Sequence, residues 1–371
     1  MLIKKIKVAS GIITRKTLTG PIEVSVDLTR KCTLDCLMCW WWSPLVKKRP
    51  SLKWANQEMD YELFKELIQD LKKIRVKRII LGGQGEPFLY SKLLEAIEIT
   101  KKAGIEVALI TSGFFLNEKK IRAIFDLRID SIDISLQAAT AETYLKIHPG
   151  QKEATFKRIK NQLILLSKLK ASFNRMVPKV RLIHVICNLN YQETVEVIEL
   201  AKEVGADSIG FKRIDVIPET KELLLNNDQL KELKSLLKKS KGKSIKLGIK
   251  TSIGFYQKYI VDGLTTGVYT HNYYSNVPCY VGWLSSRILS DGNIIPCCGC
   301  YDTILGNIHN DSFASVWSSE KYQQFRQKSI NIQKDSEFVQ NCKCYSCIDF
   351  EFNLGVYKRL HPIKAKRGLY G

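Results

Sequence analysis

The stretch Pro21-Ile-Glu-Val-Ser-Val-Asp27, continued by Leu28-Thr-Arg-Lys-Cys32-Thr-Leu-Asp-Cys36-Leu-Met-Cys39, decides the reading of this chain. Ile22–Asp27 is short and alternates apolar with polar residues, the period of a half-buried strand. The polar loop behind it carries three cysteines. Outward from there, short apolar runs recur at Arg78–Leu81, Glu106–Thr111, Ser131–Leu136, Val180–Ile186 and Ser208–Lys212. Helical patterns lie between them. One sets Phe64, Leu67, Ile68 and Leu71 on a single face; another sets Val197, Leu200, Ala201 and Val204 there and stops at Gly205. Six such units predict an α/β fold, a partial (βα)6 TIM-like barrel with its chemistry at the carboxyl ends of the strands.

The texture then changes. The expected divisions are a lead segment 1–20, the barrel 21–215, a lysine-rich helical linker 216–270, a small cysteine-rich domain 271–352 and a basic tail 353–371.

With 45% hydrophobic and 26% charged residues, the 371-residue chain is not disordered throughout. It has no apolar run long enough to span a bilayer. Met1-Leu2-Ile3-Lys4-Lys5 opens no export signal, so a cytoplasmic location is expected. The 58 basic and 37 acidic residues leave a formal charge of +21, a field that favours anionic partners: nucleic acid, nucleotide-linked substrates, anionic lipid or an acidic redox protein. Lys231–Lys250 carries eight lysines against Glu232 alone. No aromatics interleave there, which argues against a single-strand binding platform.

Of the 11 cysteines, three lie at 32, 36 and 39, Cys187 stands alone, and seven fall between 279 and 347. Clusters of this kind in a chain without an export signal point to metal or iron–sulfur ligation rather than disulfides. Three thiolates do not complete a four-ligand zinc site. They suffice for three irons of a [4Fe–4S] cube, with the fourth iron open to a small chelating ligand.

This CxxxCxxC loop after the first strand resembles the signature of the radical S-adenosylmethionine superfamily. The resemblance implies that Cys32, Cys36 and Cys39 hold the cube and that its open iron binds S-adenosylmethionine. Reductive cleavage would then give a 5'-deoxyadenosyl radical. Met38 stands where the family often has an aromatic residue against the adenine. Gly82-Gly83-Gln84-Gly85-Glu86-Pro87 follows the second strand and implies a site for the cofactor's amino group, with Gly83 and Gly85 close to it and Glu86 as charge partner. Thr111-Ser112-Gly113, Ser135 with Gln137, and Asn188 with Asn190 stand at later strand ends. Ser112, Ser135 and Asn188 are the further cofactor contacts this implies; each also reads as a turn or capping residue.

The region from Cys279 through Trp283, Arg287, Gly292-x4-Cys297, Cys298, Cys300 and Trp317 to Cys342, Cys344 and Cys347 resembles a SPASM or twitch extension. That implies one auxiliary [4Fe–4S] cluster on Cys279, Cys297, Cys344 and Cys347. Cys298, Cys300 and Cys342 are left as spare thiols or alternative ligands. A structural zinc ribbon is the rival reading. Trp40-Trp41-Trp42 would line a cavity, form a lid, or pack the loop under this domain. His184 reads as a hydrogen-bonded barrel histidine and Cys187 as a small buried hydrophobe.

The implied activity is hydrogen-atom abstraction. Only 31 residues precede Cys32, too few for a folded peptide-recognition domain, so the expected reaction is net oxidation of a small molecule such as a sugar or aminocyclitol. The alternatives are a peptide-modifying maturase that crosslinks or epimerises, and, from another class, a basic zinc protein that binds nucleic acid. The cube also needs a low-potential electron, for which an acidic ferredoxin or flavodoxin is the expected partner.

Overall fold

A computed structural model describes residues 2–270, 274, 276–347 and 349–363. In chain order the helices used below are α1 (Leu2–Thr14), α2 (Leu52–Ala55), α3 (Tyr61–Lys73), α4 (Leu93–Lys102), α5 (Glu118–Asp126), α6 (Ala141–Ile147), α7 (Glu153–Ser172), α8 (Glu196–Glu203) and α9 (Asn227–Leu247). The strands are β1 (Glu23–Val26), β2 (Arg78–Leu81), β3 (Glu106–Thr111), β4 (Ser131–Ser135), β5 (Lys179–Ile186), β6 (Ser208–Arg213), β7 (Lys250–Thr251), β8 (Ser285–Ile288), β9 (Asn293–Ile295) and β10 (Gly306–Asn307).

Among the described residues ten strands form one sheet, ordered β10-β9-β8-β1-β2-β3-β4-β5-β6-β7. From β8 through β7 every neighbouring pair is parallel. Parallel pairing demands crossovers, and the amphipathic helices supply them. α3 shows how: Asp60 caps it by accepting from the Leu63 amide at 2.9 Å, and Phe64, Leu67, Ile68 and Leu71 are buried at helical spacing. On β3, Val107, Leu109 and Thr111 are buried among the helices, while Glu106, Ala108 and Ile110 take the inner face.

Two parts depart from the sequence expectation. The lysine-rich segment 216–270 is more than a connector: α9 packs on α8, and β7 extends the sheet by pairing with β6. The cysteine-rich domain joins the same sheet, because β8 lies beside β1 in the register Ser25↔Arg287. Of the tail, residues 364–371 lie outside the described residues.

Candidate active site

The loop after β1 is held from several sides. The Leu37 amide donates to the Ile147 carbonyl at 2.9 Å, and Asp35 accepts from the Gly150 amide at 2.5 Å. Arg30 is buried, donates to Gln84 Oε1 at 3.1 Å, pairs with Asp291 at 2.7 Å and lies over the Trp54 ring at 4.6 Å. The three tryptophans fan outward. Trp40 Nε1 donates to the Asp215 carbonyl, Trp41 packs on Trp54 and Tyr301 with centroids 4.7 and 5.4 Å away, and Trp42 Nε1 donates to the Gln84 carbonyl. Trp41 against Tyr301, and Lys343 over the Trp40 ring at 5.0 Å, reach the cysteine-rich domain, while the other contacts tie the loop to the barrel.

Cys32, Cys36 and Cys39 share this loop. Burial pushes the Cys32 thiol up to about 12 and raises Cys36 and Cys39 as well. Cys39 Sγ accepts from the Trp41 and Trp42 amides at 3.5 and 3.3 Å, the type of contact that stabilises a ligating thiolate. The three thiols with these amide donors fit a sulfur-rich cluster. Among the described residues, no group of three or more His, Cys, Asp or Glu side chains is gathered tightly enough to hold a single metal ion.

The Gly82–Pro87 turn is brought to this loop for a reason the sequence did not reveal. A Cβ on Gly83 would strike Arg287 and Asp27, and one on Gly85 would strike the backbone of Thr29 to Lys31. These glycines let the turn pack on the end of β1. Glu86 is similarly engaged: its carboxylate accepts from the Thr111 hydroxyl (2.6 Å), the Ser112 amide (2.8 Å), the Ser112 hydroxyl (2.7 Å) and the Phe88 amide (3.3 Å). Glu86 and Ser112 therefore lash the end of β2 to the end of β3.

Free polar atoms lie nearby. Gln84 Nε2, Gln137 Oε1 and Asn188 Oδ1 are buried without partners. Gln137, at φ 59°, and Asn188 follow β4 and β5. Such orphaned atoms fit a polar ligand over the strand ends. Ser135 ends β4. Met38 packs with Leu37, Leu45 and Ile214 around the buried Cys187. Asn190 ties the ends of β4 and β5 together, accepting from the Cys187 amide and donating to the Gln137 and Val185 carbonyls.

In the C-terminal domain, Cys279, Cys297, Cys300, Cys342, Cys344 and Cys347 ring one small cavity. Tyr274 donates to Cys347 Sγ at 2.9 Å. Burial raises the thiols of Cys279, Cys297 and Cys344, and a ligated metal would hold them as thiolates. This thiol-rich, apolar site also fits an iron–sulfur cluster. Cys300 and Cys342 are joined by a disulfide, so neither is a spare thiol here. Cys298 is free and feels the charges of Asp349, Arg287 and Asp215.

Sequence reading missed the charged inner face. Arg287 bridges to Asp27, Arg181 Nε donates to Asp133 at 2.9 Å, and Arg78 pairs with Glu106 at 3.2 Å. Lys212 joins Arg181 and Asp133 in the same electrostatic neighbourhood, facing Glu351. Arg-Asp alternation across strands was the available signal, but only the register shows which residues meet. His184 is fully buried, and burial pushes it down to about 4.

Residues 26–201 match the Radical SAM superfamily model, and residues 279–348 match the SPASM model, an iron–sulfur cluster-binding domain. The chain is 23% identical over 320 residues to the tungsten-containing aldehyde ferredoxin oxidoreductase cofactor-modifying protein of Pyrococcus furiosus, covering 81% of this chain and 82% of that protein. It is 23% identical over 319 residues to PqqA peptide cyclase of Gluconobacter oxydans, covering 82% and 79%. The structure of Streptococcus suis SuiB bound to S-adenosylmethionine shares the fold, with TM-score 0.64 at 14% identity, over 87% of this chain and 71% of that one.

Proposed function

Since the chain belongs to the radical SAM superfamily and carries a SPASM domain, we propose that it modifies a peptide by abstracting a hydrogen atom from one of its residues. The observation that carries this reading is the similarity to a peptide cyclase, which runs through 82% of the chain. Net oxidation of a sugar or aminocyclitol has no such support among the relatives named above.

The barrel binds a [4Fe–4S] cluster and S-adenosylmethionine, and the SPASM domain binds auxiliary iron–sulfur. When bound, the cluster supplies the electron that cleaves S-adenosylmethionine into methionine and the radical that abstracts hydrogen. In our reading Cys32, Cys36 and Cys39 hold the first cluster, and Cys279, Cys297, Cys344 and Cys347 hold the auxiliary one. Met38 closes the adenine side, while Gln137 and Asn188 offer their orphaned oxygens to the cofactor with Ser135 beside them. Glu86 and Ser112 act at one remove by fixing the strand ends. The substrate residue enters between the inner face and the SPASM domain, where Arg181 remains 44% exposed. An acidic low-potential ferredoxin or flavodoxin supplies the electron, drawn by the net charge of +21.

The test is anaerobic turnover of the reconstituted enzyme with peptides translated from short reading frames beside its gene. Release of 5'-deoxyadenosine with a peptide two hydrogens lighter marks crosslinking. Deuterium uptake from solvent at unchanged connectivity marks epimerisation. Turnover of sugars or aminocyclitols, with no peptide altered, would overturn the reading.

A further inference from the structure

At the opposite end of β1 lies a groove of roughly 930 Å³ that the proposed chemistry does not use. Its apolar lining is Ile3, Leu18, Ile22, Ile74 and Trp317, from α1, the segment after it, the end of α3 and the helix Phe313–Ser318. Lys4, Lys5, Lys7, Lys73, Arg75 and Lys77 line the same groove, and no acidic residue does. Among the described residues Lys73 is answered by Asp70, one turn back in its own helix, and Lys77 by Glu106. Lys5, Lys7 and Arg75 have no ion-pair partner among the described residues, and Arg75 is held at φ 60°.

α1 is built to present this surface. Val8, Gly11 and Ile12 are buried, and a Cβ on Gly11 would come within 3.4 Å of Trp283. The remaining faces leave Leu2 72%, Ile3 68% and Ile6 55% exposed. Large apolar side chains gathered beside unpaired cations mark a docking surface whose partner brings both apolar contacts and negative charge.

We infer that this groove docks an acidic, amphipathic segment of the peptide substrate, away from the residue that reacts; the inference rests on the peptide-modifying reading. An apolar floor with one aromatic, whose indole N–H is already given to the Thr19 carbonyl at 3.0 Å, does not suit a nucleic acid. The separation also selects the partner. Ile22 borders the groove and Cys32 lies past the far end of β1, so about 13 Å of strand divides them at 3.3 Å per residue. That distance keeps a redox protein seated here away from the cysteine loop. A tethered peptide spans it with more than about five extended residues, and docking raises the local concentration of its reacting residue.

The probe is a fluorescent peptide of about 15 residues with Leu and Glu at helical spacing, titrated by anisotropy into the reconstituted enzyme. It binds, while its Lys-for-Glu counterpart and a scrambled version do not. The Lys5→Glu/Lys7→Glu/Arg75→Glu variant weakens binding by about tenfold or more, and Leu18→Glu weakens it independently. Dithionite-driven cleavage of S-adenosylmethionine stays unchanged in both variants, which shows that they are folded. Equal binding of the scrambled peptide, or indifference to the charge reversals, overturns the inference. So does a dimer, or binding to anionic lipid vesicles, that Leu18→Glu abolishes, because the groove then has another occupant. Docking of the probe by an enzyme that modifies no peptide would sink the functional reading and with it the identity of the occupant; a modified peptide with no docking would sink only this inference.

Discussion

The Arg287 guanidinium sits on the Asp27 carboxylate, with Nη2 2.7 Å from Oδ1 and Nε 3.2 Å from Oδ2. The Asp27 side chain is wholly buried and Arg287 is 14% exposed. Burial alone would lower the arginine, but the Asp27 charge outweighs it and holds Arg287 above its ordinary range. The pair joins the strand that feeds the cysteine loop to the first strand of the SPASM domain.

Removing one partner strands a buried charge. Arg287→Met should therefore cost about 3–5 kcal/mol in urea unfolding, and the double variant Asp27→Asn/Arg287→Met should recover part of that loss. Equal stability of the single and double variants would contradict the pairing.

Glu86 accepts four hydrogen bonds, three of them from Thr111 and Ser112. Glu86→Gln turns an NH2 group toward those donors. Expected are a loss of about 1–3 kcal/mol in stability and roughly tenfold weaker binding of S-adenosylmethionine by calorimetry. An unchanged dissociation constant would mean that the two strand ends need no lashing.

Replacing Cys32, Cys36 and Cys39 together with alanine should abolish reductive cleavage of S-adenosylmethionine. About four irons per chain should remain in the SPASM domain, read by iron and acid-labile sulfide analysis. Full cleavage activity in this variant would refute the ligand assignment.

His184 is pushed down to about 4 by burial, so the unfolded chain binds its proton first as pH falls. The contribution is present above about pH 6.5 and is lost as pH falls toward about 4, by up to about 3 kcal/mol. Melting temperatures measured anaerobically from pH 7 to pH 5.5 should drop less for His184→Leu than for the parent. Parallel curves would show that the ring is not buried neutral.

The barrel was legible because its strands are apolar runs closed off by polar turns. β2 and β3 begin and end where the sequence places them, and β1, β4, β5 and β6 differ by a residue at one end or both. β8 escaped notice: Ser285-Ser-Arg-Ile288 has little apolar content, and its place beside β1 depends on a partner far away in the chain. The three cysteines of the first loop are local and readable by spacing. The close packing of Gly83 and Gly85 against Asp27, Arg287 and the backbone of Thr29 to Lys31 is non-local and leaves no mark in the spacing. The Cys300–Cys342 bond and the inner-face ion pairs are non-local too, so spacing carries no trace of them.

The pairing of β1 with β8 also sets a timetable during synthesis. Asp27 leaves the ribosome early, but Arg287 follows 260 residues later. At 5–20 residues per second, the edge of β1 waits on the order of 10–50 s for its neighbour. Throughout that interval the cysteine loop hangs from a strand with one side unpaired, open to cluster-delivery machinery and equally to mispairing with another chain. Slow codons between β7 and β8 would lengthen this exposure, so the yield of iron-loaded protein becomes a matter of translation speed as well as of sequence.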